Sequence, residues 1–237
     1  MRRLEHIPYK EETDSLGYQI KNIILGAQDG LVNVLGVILA IAVATGSPKL
    51  VIIAGLAATF AESISMAAVA YTSTKSLKSF YQSEIERERK EIENMPKEER
   101  EEIKRIYFEK GFRGTFLDKI VEKITSNKKV WLDTMMMEEL KLPSPESEKP
   151  VKSAIVVGLS ALVGSLLPLV SFLFLPVKEA IWGAIILSAI VLFLLGAGKA
   201  KVTVGKWWRS GIEIAVIGIV AALVGYGIGA VLGVAIV

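Results

Sequence analysis

Five apolar stretches constrain this chain more than any other feature: roughly Ile23–Ala44, Leu50–Tyr71, Ala154–Leu175, Ala180–Gly198 and Ile212–Val237. Each is long enough, as a helix, to cross a hydrocarbon core about 30 Å thick. Five runs of this length are rare in the buried core of a soluble protein. The mean hydropathy of +0.45 is too high for an ordinary soluble domain of 237 residues. The expected fold is therefore all-α: a polytopic membrane protein with five transmembrane helices.

Between the second and third stretches lies a segment of opposite character. Residues Lys75 to Lys152 hold 18 of the 28 Lys and Arg and 17 of the 25 Asp and Glu. The run "SFYQSEIERERKEIENMPKEEREEIKRIYFEKGF" reads as two helices broken near Met95-Pro96 and ending at Gly111. Ile85, Ile92, Ile103, Ile106 and Tyr107 supply apolar positions on helical faces. Pro96 suits a first helical turn, with acids following it as the helix dipole prefers. A third helix is expected over about Thr115–Thr125 and a fourth over about Lys128–Leu140, before the breaker-rich linker "LPSPESEKP". The chain thus divides into residues 1–74 (tail and first two spans), 75–152 (a helical insert) and 153–237 (the last three spans). "GSLLP" (Gly164 to Pro168) predicts a break in the third span.

Charge placement orients the spans. The N-terminal tail and the loop "GKAKVTVGKWWR" carry four Lys/Arg each, whereas the links around Lys49 and Lys178 carry one each. Tail, insert and basic loop share one side, which the positive-inside rule makes cytoplasmic, and "GVAIV" ends on the far face. Trp207 and Trp208 fit an interfacial belt. No cleavable signal peptide is expected, because the first twenty residues are polar.

Several chemistries are excluded. With no cysteine, there are no disulfides, thiolate metal sites or cysteine nucleophiles. The single histidine, His6, lies in the polar tail, so no convincing Ser–His–Asp arrangement exists and no catalytic residue is assigned. Neither a prosthetic group nor a nucleic-acid partner is expected, and the chain does not read as an enzyme.

Polar residues inside the apolar spans demand a reason. "LGAQDGLVNVLG" places Asp29, with Gln28 and Asn33 nearby, in the first span; Glu62 lies near the middle of the second, with Met66 one turn on. A carboxylate at mid-bilayer costs about 2.5–3.5 kcal/mol on insertion scales. No Lys or Arg lies inside these two stretches as a permanent counter-charge. A migrating cation or proton is the natural partner. The tight "TGSP" link predicts antiparallel packing of the first two spans, with Asp29 and Met66 at similar depth. Carboxylates are hard donors and a thioether is soft, so the set points to a transition metal: Fe2+, with Mn2+, Co2+ and Zn2+ as alternatives. The competing reading makes Asp29 a local cap at a kink near Gly26 and Gly30.

In the insert, Glu88 with Glu91 and Glu99 with Glu102 are spaced i, i+3, each pair on one helix face. Folding back at Met95-Pro96 would let the four carboxylates converge. "MMMEE" adds Met135, Met136 and Glu139 nearby. A solvated, salt-bridged surface is the competing reading, because Lys and Arg interleave throughout.

"GAQDGLVNVLG", "ISMAAVAYTSTKS", five spans and a charged helical insert after the second together resemble the vacuolar iron transporter family, here in a prokaryotic-type form. The likeness implies export of Fe2+ (or Mn2+) from the cytosol in exchange for protons. It also implies a homodimer whose first spans line the path, and an insert that binds metal on the cytoplasmic side. By resemblance Asp29 and Met66 belong to the transport path, while Glu88, Glu91, Glu99, Glu102, Met135, Met136 and Glu139 fit the insert's ligands; Glu62, read from the second span itself, is expected in the path as an acid on the same helix face as Ala70. Ala70 stands where many relatives carry Glu, which leaves metal preference open. For a prokaryotic source the cell membrane is the expected location. The alternatives are a passive divalent-cation channel and a membrane-anchored metal sensor. Gly225, Gly229 and Gly233 form a small-residue stripe suited to close helix packing.

Overall fold

The computed structural model describes residues 11–145, 149–202 and 205–236, with side chains described except at 11–16, 202 and 233–236. The tail bearing His6, the side chain position of Gly233, and parts of the linker and basic loop lie outside the described residues.

Every regular element among the described residues is helical, with the order α1 (Glu11–Thr45), α2 (Pro48–Asn94), α3 (Pro96–Glu109), α4 (Gly114–Thr125), α5 (Lys128–Thr134), a π turn (Met135–Glu139), α6 (Pro150–Phe174), α7 (Val177–Val202) and α8 (Trp207–Ile236). Five of them are long and apolar enough to cross a membrane. By contact the chain forms two compact units, Met1–Ser73 with Glu148–Val237, and Thr74–Ser147.

In the first unit α1 is the central helix. Leu31, Val34, Leu35, Ile38, Leu39 and Ala42 recur at three- and four-residue spacing and are buried along one stripe. Val34 to Ala42 form a core with Val51 of α2 and with Leu169, Phe172, Ala180, Ala184 and Ala222 of α6, α7 and α8, while Leu31 packs with Leu192 and Ile214. Small residues bring the backbones together. A methyl added at Gly30 would meet Ser165 Oγ, and one at Gly164 would strike the backbone of Ala27, so α1 and α6 lie in close contact. Gly225 and Gly229 bring α8 against Gly36 and Ala40 of α1 in the same way. Gly225 and Gly229 of the last span's glycine stripe are thus used within the chain.

Two readings of the sequence need correction, the competing kink in the first span and the break in the third. Helix α1 runs through Gly26 and Gly30 without a kink-forming interruption, because these glycines serve helix contact. Helix α6 is likewise unbroken, with Pro168 in its interior; the hydrogen bond that proline removes does not end the helix. The first two spans meet as expected: Val51 of α2 is buried in one core with Val34 to Ala42 of α1. Helices α6 and α8 also pack closely on α1. Helix α2 sets Gly55 against Ile38 and Leu169, and Ala67 and the Ser63 backbone against Gly158. Its outer face exposes Ile53, Phe60, Ile64 and Val69, which suits lipid.

The second unit contains the latter part of α2, which continues past its apolar stretch without a break, together with α3, α4, α5 and the π turn. Pro96 opens α3 with Glu98 and Glu99 in the first turn. Gly111, at φ +99°, turns the chain beyond α3, where few other residues are comfortable. Arg113 donates to the carbonyls of Phe108 and Phe112 and lies over the Phe108 ring, satisfying carbonyls that a helix end leaves open. Asn127 caps α5, its Oδ1 accepting from the amides of Lys129 (3.0 Å) and Val130 (3.2 Å). Ile92, Ile103, Leu117, Val121, Ile124, Trp131 and Met135 form this unit's own core. The expected fourth helix is in fact a short α5 that widens into a π turn, in which the Leu140 amide bonds the Met135 carbonyl.

Candidate functional site

Two carboxylate clusters stand out, one in each unit. In the membrane unit, Asp29 and Asn33 are four residues apart on α1 and share a face. Glu62 comes from α2. The Asn33 amide donates to Glu62 Oε1 at 3.1 Å, and the Asp29 carboxyl is close enough to the Glu62 carboxyl to interact directly. Asp29, Glu62 and Met66 are all half-buried, with Met66 one turn beyond Glu62 on α2, whereas Asn33 is exposed in the single chain. Asp29 also lines a cavity of about 570 Å³ with Lys21, Gln28, Val32, Lys199 and Ile217. Ala70 is buried. It lies eight residues from Glu62, about 12 Å along the helix, so Glu62 does not sit in its place.

Asn33 was visible in the sequence but carried no role there. The signal was its i+4 spacing from Asp29, which puts both polar groups on one stripe of an otherwise apolar helix.

In the insert, Glu88 of α2, Glu99 of α3 and Glu139 of the π turn each offer an oxygen within 4.8 Å of the others. Glu88 is 1% exposed and Glu99 6%. Glu88 Oε1, Glu99 Oε2 and Glu139 Oε2 are buried with no hydrogen-bond partner. Buried acceptors of this kind are expensive unless something positive meets them. Burial first, then the Glu139, Glu99 and Glu91 carboxylates, push Glu88 up to about 8. Burial and the charges of Glu102, Glu99 and Glu91 push Glu139 up to about 7. Glu99 is also raised, by burial first, although a hydrogen bond from Glu88 works the other way.

The structure brings together three of the five carboxylates expected in the insert. Glu91 and Glu102 stand in the next ring, near enough to act through charge, and Glu102 has Arg105 at 3.7 Å. Glu138 is drawn aside by Lys110 at 2.5 Å, leaving its neighbour Glu139 as the π turn's member of the cluster. Met135 is fully buried within the insert's apolar core, Met136 is buried as well, and Met137 is exposed. The donor set is hard and anionic, suited to a divalent cation.

A model of the VIT family matches residues 20–230. The chain belongs to the VIT family. It is 30% identical over 220 residues to vacuolar iron transporter 1 of Eucalyptus grandis, covering 92% of this chain and 88% of that one. Identity to vacuolar iron transporter 1 of Arabidopsis thaliana is also 30% over 220 residues, 92% of this chain and 87% of the relative. The vacuolar iron transporter of Plasmodium falciparum is 32% identical over 223 residues, 90% of this chain and 82% of the other. The VIT family is one of transporters, so this VIT-family protein is an integral membrane protein and not an enzyme, and metal relates to it as substrate, not as a prosthetic group.

Proposed function

We propose that this protein moves divalent transition-metal ions, Fe2+ above all, out of the cytosol in exchange for protons. Its relatives are named as iron transporters, and metal transport is the activity that membership supports. The observation that carries the finer reading is the meeting of Asp29 and Glu62 from two apolar helices, with an amide donor at Glu62. Two neighbouring acids in a membrane repel each other when both are ionised. A divalent ion relieves that repulsion, and so does a proton, which is the exchange an antiporter needs. Met66, one turn away, adds a soft donor that favours a transition metal over Mg2+ or Ca2+.

In this reading the insert, on the cytoplasmic side with the tail, collects metal at Glu88, Glu99 and Glu139, supported by Glu91 and Glu102. Met135 and Met136 remain candidate sulfur donors. The working form is a homodimer. Asn33 is exposed on an apolar helix and Asp29 lines an open cavity; an amide facing lipid is costly, and the same face of a second copy would cover it. The cell membrane is the proposed location.

Reconstituted protein in liposomes tests the reading. Fe2+ flux should follow an imposed pH gradient and move protons the other way, and Asp29→Asn should stop both. Metal flux that ignores the gradient would instead support a passive channel.

A further inference from the structure

Asn33 has a place in the membrane cluster that neither the family assignment nor the transport reading explains. Helix α2 brings Glu62 within reach of Asp29 and Asn33 of α1, but the backbone alone does not fix where its side chain lies. Glu62 has three rotatable bonds and, left alone, would sample several positions. Besides the Asp29 carboxyl, the polar tie between the two helices is the 3.1 Å bond from Asn33 Nδ2 to Glu62 Oε1. Ser63, beside Glu62, turns back to the Thr59 carbonyl at 2.6 Å and takes no part. An amide is a suitable clamp here. It donates to a carboxylate without bringing a positive charge that would repel a cation, and its carbonyl end is itself a hard oxygen. It also sits on the same α1 face as Asp29, so the group that holds Glu62 holds it toward Asp29. The exposure of Asn33 on an apolar helix adds weight, since a purely packing role is better filled there by an apolar residue of similar size.

We infer that Asn33 is a positioning residue of the membrane site: its amide holds the Glu62 carboxylate beside Asp29 and thereby sets the affinity and the size discrimination for the divalent ion taken up there. The inference rests on the reading of Asp29 and Glu62 as a transport site. Preorganised ligands bind more tightly than ligands that must first be ordered, and fixed spacing is what discriminates ions of different radius.

The test is transport by the full-length chain in proteoliposomes, with Mn2+ and Zn2+ as ions of different size. Asn33→Leu keeps the volume and removes the donor. It should raise KM for Mn2+ by about tenfold, the worth of one hydrogen bond to a charged group, with a smaller change in maximal rate. The ratio of KM for the two ions should move toward one. Asn33→Gln, which keeps the amide, should regain part of both. KM does not depend on how much protein folds, so a variant that merely misfolds loses rate and leaves KM alone. If Asn33→Leu carries too little flux to read, Asn33→Thr, with a shorter donor, is read by the same two numbers. Unchanged KM and unchanged ion ratio overturn the inference. Asp29→Asn measured beside them separates the two readings. If it stops flux while the Asn33 variants keep the parental KM, only the role of Asn33 fails. If it leaves flux intact, the transport site itself fails and the role of Asn33 with it.

Discussion

The carboxylates of the membrane unit and those of the insert are the same chemistry placed under different constraints. In the insert two buried acids and a half-buried third, with two more close by, meet with one oxygen on each left without a hydrogen-bond partner. In the membrane unit there are two, one of them held by a neutral amide, beside an open cavity. In the proposed transport reading, more charge with less solvation makes the insert cluster the one that grips a cation and, lacking one, keeps protons. Less charge, with a thioether one turn away, makes the membrane pair the one that an ion leaves.

The largest expected effect separates the two clusters outright. Asp29→Asn should cut metal flux by at least about 100-fold, since even indirect supports of a metal ligand are worth 10- to 100-fold. Metal binding at the insert, followed by equilibrium titration of the full chain in detergent, should not change. If binding falls as well, the clusters are not independent and the comparison fails. The reciprocal variant, Glu88→Gln with Glu99→Gln and Glu139→Gln, should lose about 10- to 100-fold in binding yet keep flux at saturating metal.

A third effect concerns pH. Glu88 and Glu139 hold protons up to about 8 and about 7, so under the proposed collecting role metal would displace protons to enter the insert. Affinity should rise as pH climbs from 6 to 8, with protons released on binding; calorimetry in buffers of different ionisation enthalpy would count them. The same shifts bear on stability. Acids raised from an ordinary value near 4.5 stabilise the metal-free insert fully below that value, and the contribution is lost as pH rises through about 7 and 8. Trp131, buried in the insert's core, can report this by fluorescence with Trp182, Trp207 and Trp208 replaced. Added metal should restore the stability at pH 8.

The smallest effect tests the outer ring. Glu102→Gln removes a charge that raises Glu139, but Glu102 is partly solvated and has Arg105 beside it. It should change metal affinity by no more than about threefold, as expected of a screened surface charge. A loss as large as that from Glu88→Gln would put Glu102 among the ligands.

Much of this was readable in advance, and the reasons are physical. Hydropathy over twenty residues is a strong signal because a membrane imposes a length, so all five spans were legible. Met95-Pro96 and Gly111 marked helix ends because proline cannot continue a hydrogen-bonded turn and glycine tolerates positive φ. Pro168 misled for a related reason: inside a packed apolar helix the neighbours keep the helix going despite one lost bond. The pairing of α1 with α6 was not legible. Gly26 and Gly30 looked like a kink beside Asp29, and only the presence of Gly164 and Ser165 across the contact shows that they are there for closeness.

The residue string by itself determined the membrane class, the helical content, the position of the insert and the kinds of side chain available to a metal, because these follow from local pattern and composition. Tertiary structure decided which acids meet. Spacing along a helix shows that Glu88 and Glu91 share a face, but which face turns toward Glu99 and Glu139, and that Asn33 of α1 meets Glu62 of α2, depends on how separate helices lie against one another. That arrangement is settled by the packing of many small and apolar side chains at once, and no short stretch of sequence contains it.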